Sequence, residues 1–108
     1  MENEDLVTAF KNELRSRFVK SFLDILVLRL VQAGPKWGYD IIKKTEAEYN
    51  IKIRHGALYP LLSRLEMEGL LKSRKELRKG RIRKVYEITQ IGRQALHSCQ
   101  DFLRQQTS

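Results

Sequence analysis

Cysteine is nearly absent from this 108-residue sequence. Cys99 stands alone, so no internal disulfide can form, as expected of a reducing compartment. Long apolar runs are missing as well. The nearest approach, Phe22 to Val31, is cut by Asp24 and Arg29 and falls short of the roughly 18 residues of a membrane span. No cleavable signal pattern precedes it, and the chain is read as cytoplasmic with no membrane partner. The two histidines, His55 and His97, are far apart and lack Cys or acidic companions at ligand spacing, so no metal site is expected. Glu66 and Glu68, two apart on a predicted helix, do not face each other as a carboxylate pair would. Neither a Gly-rich phosphate loop nor a nucleophile motif occurs. The expectation is a protein that is not an enzyme, with no catalytic residue and no cofactor.

What is present is a modest core and a concentrated charge. Hydrophobic residues make up 42% of the chain, with four Phe, four Tyr and one Trp, which suits one small folded domain. The net charge is +8. Residues 52–84 hold eleven Lys and Arg against three Glu, a surplus equal to that whole charge, while the other segments nearly cancel. A patch of one sign favours a polyanion, because phosphate contacts release condensed counterions. The bland alternative is a solvated basic surface.

Apolar spacing divides the chain into five helical stretches and a hairpin. Residues 5–18 place Leu6, Phe10, Leu14 and Phe18 on one stripe, to be covered by the chain's own domain or by a partner subunit. Residues 20–33 are apolar on most sides and read as a buried central helix, ended by Gly34-Pro35. Residues 37–48 follow as the first helix of a helix-turn-helix, with Tyr39, Ile42 and Ile41 turned inward. Asn50 to Arg54 alternates apolar and basic residues, as a short strand pairing with the hairpin would.

The organising stretch is residues 55–68, with Leu58, Leu61, Leu62 and Leu65 on one side and Gly69 as its stop. Pro60 leaves its start open: the helix begins either before the proline, or bent at it. Residues 70–77 and 83–88 read as antiparallel strands, with Tyr86 and Ile88 facing the core and a basic tip at 78–82. Thr89 can cap the last helix, 90–105. Its stripe of Ile91, Ala95, Leu96, Cys99, Phe102 and Leu103 serves a dimer or folds back on the domain.

A short helix followed by a basic β-ribbon is the arrangement of a winged helix-turn-helix. The expected fold is mainly α with a small β-hairpin, carrying added N-terminal and C-terminal helices. Residues 1–19 would be an N-terminal helix, 20–89 the DNA-binding domain and 90–108 the C-terminal dimerisation helix. Helix 55–68 would enter the major groove and wing 77–84 would reach phosphates or the minor groove. Tyr59, Ser63 and Arg64 lie off the leucine stripe and are candidates for bases or phosphates, Tyr59 being equally placed for the core. Arg54 and His55 would meet phosphate at the helix entrance, and Lys79, Arg81 and Arg83 from the wing. The candidate dimer residues are Leu6, Phe10, Leu14, Leu96, Cys99, Phe102 and Leu103. The rival reading is a winged helix used for protein–protein assembly in a transcription complex.

Three spaced motifs carry a resemblance: Gly38-Tyr39-Asp40-Ile41; Gly56-Ala57-Leu58-Tyr59-Pro60 with Leu62, Leu65, Glu66, Gly69 and Leu70; and Tyr86-Glu87-Ile88-Thr89 with Gly92. Over residues 20–96 the chain resembles the PadR-like transcriptional regulators. The resemblance implies a winged-helix homodimer, usually a repressor, whose terminal helices form the dimer and whose partner is double-stranded DNA. Family motifs often carry Ser or Thr where this chain has Ala57, which removes a hydroxyl from that contact. Some relatives hold planar aromatic effectors between subunits with a tryptophan of the last helix. This helix has none, so the resemblance names no small-molecule effector.

Overall fold

A computed structural model of the chain describes residues 2–108. Its elements run α1 (Glu2–Ser21), α2 (Leu23–Gln32), β1 (Lys36–Trp37), α3 (Gly38–Tyr49), α4 (His55–Met67), β2 (Leu71–Arg78), β3 (Arg81–Ile88) and α5 (Gln90–Thr107). The sheet has the order β1-β3-β2 and is antiparallel throughout. The winged-helix architecture with an added helix at each end is therefore as expected.

α2 is the central pillar. Leu26, Val27, Leu28, Leu30 and Val31 are all buried, and α3, α5, β3 and the end of α1 pack around it. α1 and α2 meet at Phe22, where the ladder is interrupted: Phe22 N–H donates to Phe18 O (2.8 Å) and Leu26 N–H to Phe22 O (3.0 Å), while Ile25 N–H donates to the Asp24 carboxylate (2.8 Å). Only the end of α1 joins the core, through buried Val19 and half-buried Phe18. Residues 2–14 are exposed along their whole length.

The third strand is not the expected one. Residues 51–54 form no strand, and Lys36–Trp37 pairs with β3 instead, Lys36 opposite Tyr86 and Trp37 opposite Val85. Asn50 closes α3 in the left-handed region (φ 55°) and turns the chain before the alternation begins. Ile53 is buried and Ile51 half-buried, so the alternating residues seal a connector against the core without pairing. Tyr39, expected inward, is exposed, whereas Ile41 and Ile42 are both buried. The core-facing stripe of α3 runs through Gly38, Ile41, Ile42 and Thr45, and Tyr39, one residue past Gly38, is turned about 100° off it.

α4 begins at His55, five residues ahead of Pro60. The proline withholds one amide from the exposed Gly56 carbonyl side, where water can satisfy the oxygen. At the other end Gly69 (φ 79°) completes a Schellman closure: Leu70 N–H donates to Leu65 O (2.9 Å) and Gly69 N–H to Glu66 O (3.0 Å).

Thr89 ties that closure to α5. Its hydroxyl accepts from Gly92 N–H (3.0 Å) and donates to Gly69 O (2.6 Å), while its own amide donates to Leu70 O (3.1 Å). The end of α4, the end of β3 and the start of α5 are thereby held at one point. The first half of α5 then packs on the core, and Leu96 is fully buried there. Leu96 is thus corrected from a dimer candidate to a core residue of its own chain. Beyond it Cys99 and Phe102 are exposed and Leu103 is half-buried.

Candidate nucleic-acid interface

The periodicity of α4 fixes what it offers to solvent. With Leu58, Leu62 and Leu65 buried, a turn of about 100° per residue puts Gly56, Pro60, Ser63 and Met67 on the opposite crest. Tyr59 flanks that crest on the wing side and Arg64 on the α2 side. All six are exposed, Met67 most of all at 87%.

At the entrance Arg54 is the N-cap, in extended conformation, with no side-chain cap bond. The His55 ring stacks on Tyr59 with centroids 5.5 Å apart and planes 14° from parallel. Tyr59 itself lies across the start of α3: a methyl group added at Gly38 would come within 2.5 Å of the Tyr59 hydroxyl oxygen. Gly38 therefore supplies the space that brings α3 and α4 together at their N-termini. α3 is capped there by Asp40, whose carboxylate accepts from Trp37 N–H (3.0 Å). Tyr59 is neither core nor free, but a half-exposed wall of a cleft of about 250 Å³ shared with Trp37, Tyr39, Ile82, Lys84 and Tyr86. Arg64 sits on the other flank, 3.6 Å from Asp24 of α2.

The wing is a two-residue hairpin. Arg78 pairs with Arg81, and both linking residues have positive φ, Lys79 at 49° and Gly80 at 76°. That is the signature of a type I′ turn, whose twist matches that of the strands it joins. Lysine in the left-handed region is unusual and carries its ammonium to the extreme tip.

The strand register sorts the wing's many cations. Lys72 and Arg74 pair with Glu87, Arg74 and Arg78 with Glu76, and Lys84 with Glu66. The Arg78 and Arg83 guanidinium carbons lie 4.3 and 5.6 Å from the Trp37 ring centroid. Among the described residues, Lys75, Lys79 and Arg81 have no acidic partner. Free charge is thus concentrated towards the tip. Of the three predicted wing contacts, Lys79 and Arg81 are free and exposed, whereas Arg83 is drawn back over the tryptophan.

Of the predicted residues, Arg54, His55, Tyr59 and Ser63 gather at the entrance and crest of α4, with Arg64 on its α2 flank. Lys79 and Arg81 lie at the free end of the hairpin whose β2 packs against α4, and Arg83 lies over Trp37. Sequence reasoning missed Tyr39, exposed at the start of α3 with Lys43 Nζ 5.3 Å from its ring centroid. It also missed Leu77 and Ile82, a directly opposed and strongly exposed pair on the inner face of the wing. Their alternation with basic residues was the available signal. Among the described residues no group of His, Cys, Asp or Glu could hold a metal ion, and no helix is long and apolar enough to cross a membrane.

Residues 27–98 match the model of the transcriptional regulator PadR-like family. The chain belongs to that family. This PadR-like regulator is similar in structure to a PadR family transcriptional regulator from Eggerthella lenta, with 33% identity and a TM-score of 0.71 over 96% of this chain and 88% of that one. It is also similar to Bacillus subtilis PadR in a complex with operator DNA, at 30% identity and a TM-score of 0.67, over 71% of this chain but 44% of that one. A transcriptional regulator of Mycobacterium tuberculosis is 44% identical over 50 residues, 46% of this chain and 47% of the relative. That match spans about half the relative's length.

Proposed function

We propose that this PadR-like regulator is a homodimeric repressor that binds a near-palindromic DNA site in the cytoplasm through α4 and the wing tip. The observation that carries the reading is the coincidence of an exposed helix crest with unpaired cations, Lys79 and Arg81, on the adjacent hairpin. The similar Bacillus subtilis protein, seen with operator DNA, supports it. In this arrangement Ser63 and Arg64 reach base edges or phosphates, Arg54 and His55 meet phosphate at the helix entrance, and Tyr59 and Tyr39 border the strand between helix and wing. Leu77 and Ile82 pack on deoxyribose. A bound dimer represses by occupying promoter DNA. In this reading the protein acts by binding alone.

The test is a titration of the promoter region upstream of the chain's own gene against a shuffled duplex, over a salt series. Selective binding is expected, with log K falling linearly with log salt by about 0.9 per phosphate contact. Equal, weak binding to both duplexes would favour the assembly-module reading.

Two variants resolve the site. Lys79→Asn keeps the turn, since asparagine tolerates the left-handed region, and removes the charge. Combined with Arg81→Gln it is expected to reduce the salt slope by about 2 for each bound protomer, about 4 for the dimer. An unchanged slope would take the wing tip off the DNA. Arg64→Ala is expected to cost about 1–3 kcal/mol on the promoter duplex and much less on the shuffled one if it reads a base. Equal losses on both would make it a phosphate contact.

A further inference from the structure

We infer that Glu66 is a positioning residue: it sets the angle between α4 and the wing, and that angle governs how selectively DNA is read. The inference rests on the DNA-binding function proposed above. The Glu66 carboxylate divides its two oxygens between the two strands of the hairpin. Oε2 accepts from Ser73 Oγ on β2, and Oε1 lies 3.5 Å from Lys84 Nζ on β3.

The location of this grip gives it leverage. On the inner face of the hairpin, Leu71, Tyr86 and Ile88 lie towards the core and are buried, whereas Leu77 and Ile82 lie towards the tip and are exposed. Ser73 is opposite Tyr86 and Lys84 opposite Lys75, so Glu66 holds the hairpin where core support ends. Beyond it Trp37, beneath Arg78 and Arg83, supports the outer face, and Glu66 is the inner-face hold that sets the direction of the tip with Lys79 and Arg81. On the other flank of α4, Arg64 lies 3.6 Å from Asp24 of α2.

As a charge alone, Glu66 would have the opposite effect. It is one of only three acidic residues in the basic stretch 52–84, and a carboxylate beside DNA weakens binding to every sequence alike. Positioning and charge therefore predict different signs on the preferred site.

The experiment measures binding of the wild-type chain, Glu66→Gln and Ser73→Ala to the promoter duplex and to the shuffled duplex, with thermal unfolding of each. Glu66→Gln is expected to lower the ratio of promoter to shuffled affinity by about tenfold, with shuffled-duplex affinity unchanged or higher. Ser73→Ala changes no charge and is expected to lower the ratio in the same direction, by about threefold. Exchanging the pair as Glu66→Lys with Lys84→Glu is expected to recover selectivity that Glu66→Lys alone loses. Equal tightening on both duplexes by Glu66→Gln, or an unchanged ratio in Ser73→Ala, would overturn the inference. Ser73→Ala decides the matter if Glu66→Gln does not unfold cooperatively. A wild-type chain with no preference between the duplexes would instead overturn the DNA-binding reading on which the inference stands.

Discussion

Replacing Gly92 by alanine is expected to lower the melting temperature by about 10 °C or more. A methyl group there would drive into the Leu70 carbonyl oxygen, far inside van der Waals contact, and would come within 2.7 Å of Ile88 Cγ1. The oxygen cannot swing away as a side chain would, because it accepts from the Thr89 amide (3.1 Å). Relief requires the start of α5 to move off the hairpin, which also strains the cap from Thr89 to Gly92 N–H. Overpacking costs about 1–3 kcal/mol and a lost cap about 1 kcal/mol more. In a domain of this size each 1 kcal/mol moves the transition by roughly 4–8 °C. Gly56→Ala is the matched control: nothing lies within 4 Å of its added carbon, and alanine is the better helix former. Its melting temperature should equal or slightly exceed that of the parent. A Gly92→Ala protein that melts with the parent would show that α5 does not start against the Leu70 carbonyl.

Phe10→Asp is expected to convert a dimer into a monomer and to weaken promoter binding by about a hundredfold or more. Leu6, Val7, Phe10 and Leu14 are each more than half exposed along α1, too contiguous a stripe for scattered surface residues. Phe102 and Ile91 on α5 are similarly exposed. Two copies related by a two-fold axis would cover these faces mutually, and a carboxylate buried among them without a partner is strongly unfavourable. Two linked recognition helices gain affinity because the second contact is intramolecular. Sedimentation gives the mass, and titration on the promoter duplex gives the affinity. A Phe10→Asp protein that stays dimeric would remove α1 from the interface and leave the end of α5 to carry it.

Phe10 illustrates what a sequence can and cannot reveal here. Its spacing from Leu6 and Leu14 showed a stripe, but a stripe does not say what covers it. In α5 one continuous apolar stripe divides: Leu96 serves the chain's own core, whereas Cys99 and Phe102 face outward. Their angular place on α5 separates them: Ile91, Cys99 and Phe102 lie off the face that carries Leu96 and half-buried Leu103, and which face meets the core is a property of the packed fold. Local chemistry was legible wherever one residue decides a conformation. Gly69 stops α4, Thr89 caps α5, and Tyr86 and Ile88 face inward as their alternation requires. The two-residue strand Lys36–Trp37 carries no period and could not be seen, whereas Asn50 to Arg54 has the period of a strand without the partner.

Charge behaved in the same way. A count over residues 52–84 located the basic surface but stopped short of Glu87, which the register brings beside Lys72 and Arg74. Which cations stay unpaired depends on cross-strand neighbours, and those follow from register. Arg83 was predicted from its place near the tip, yet its strand face turns it onto Trp37. The Gly-Tyr pair at the start of α3 lay in plain view as a motif. The packed structure divides it: Gly38 is buried and makes room for Tyr59, whereas Tyr39 is exposed.

The most direct test of the account is a hydroxyl-radical footprint of the chain on its own promoter region, with the mass of the complex measured in parallel. Two protected patches are expected in successive turns, their centres about 34 Å or 10 base pairs apart, with two protomers per duplex. Protection spread evenly along the duplex, or patches without that spacing, would contradict a pair of recognition helices reading a two-fold site.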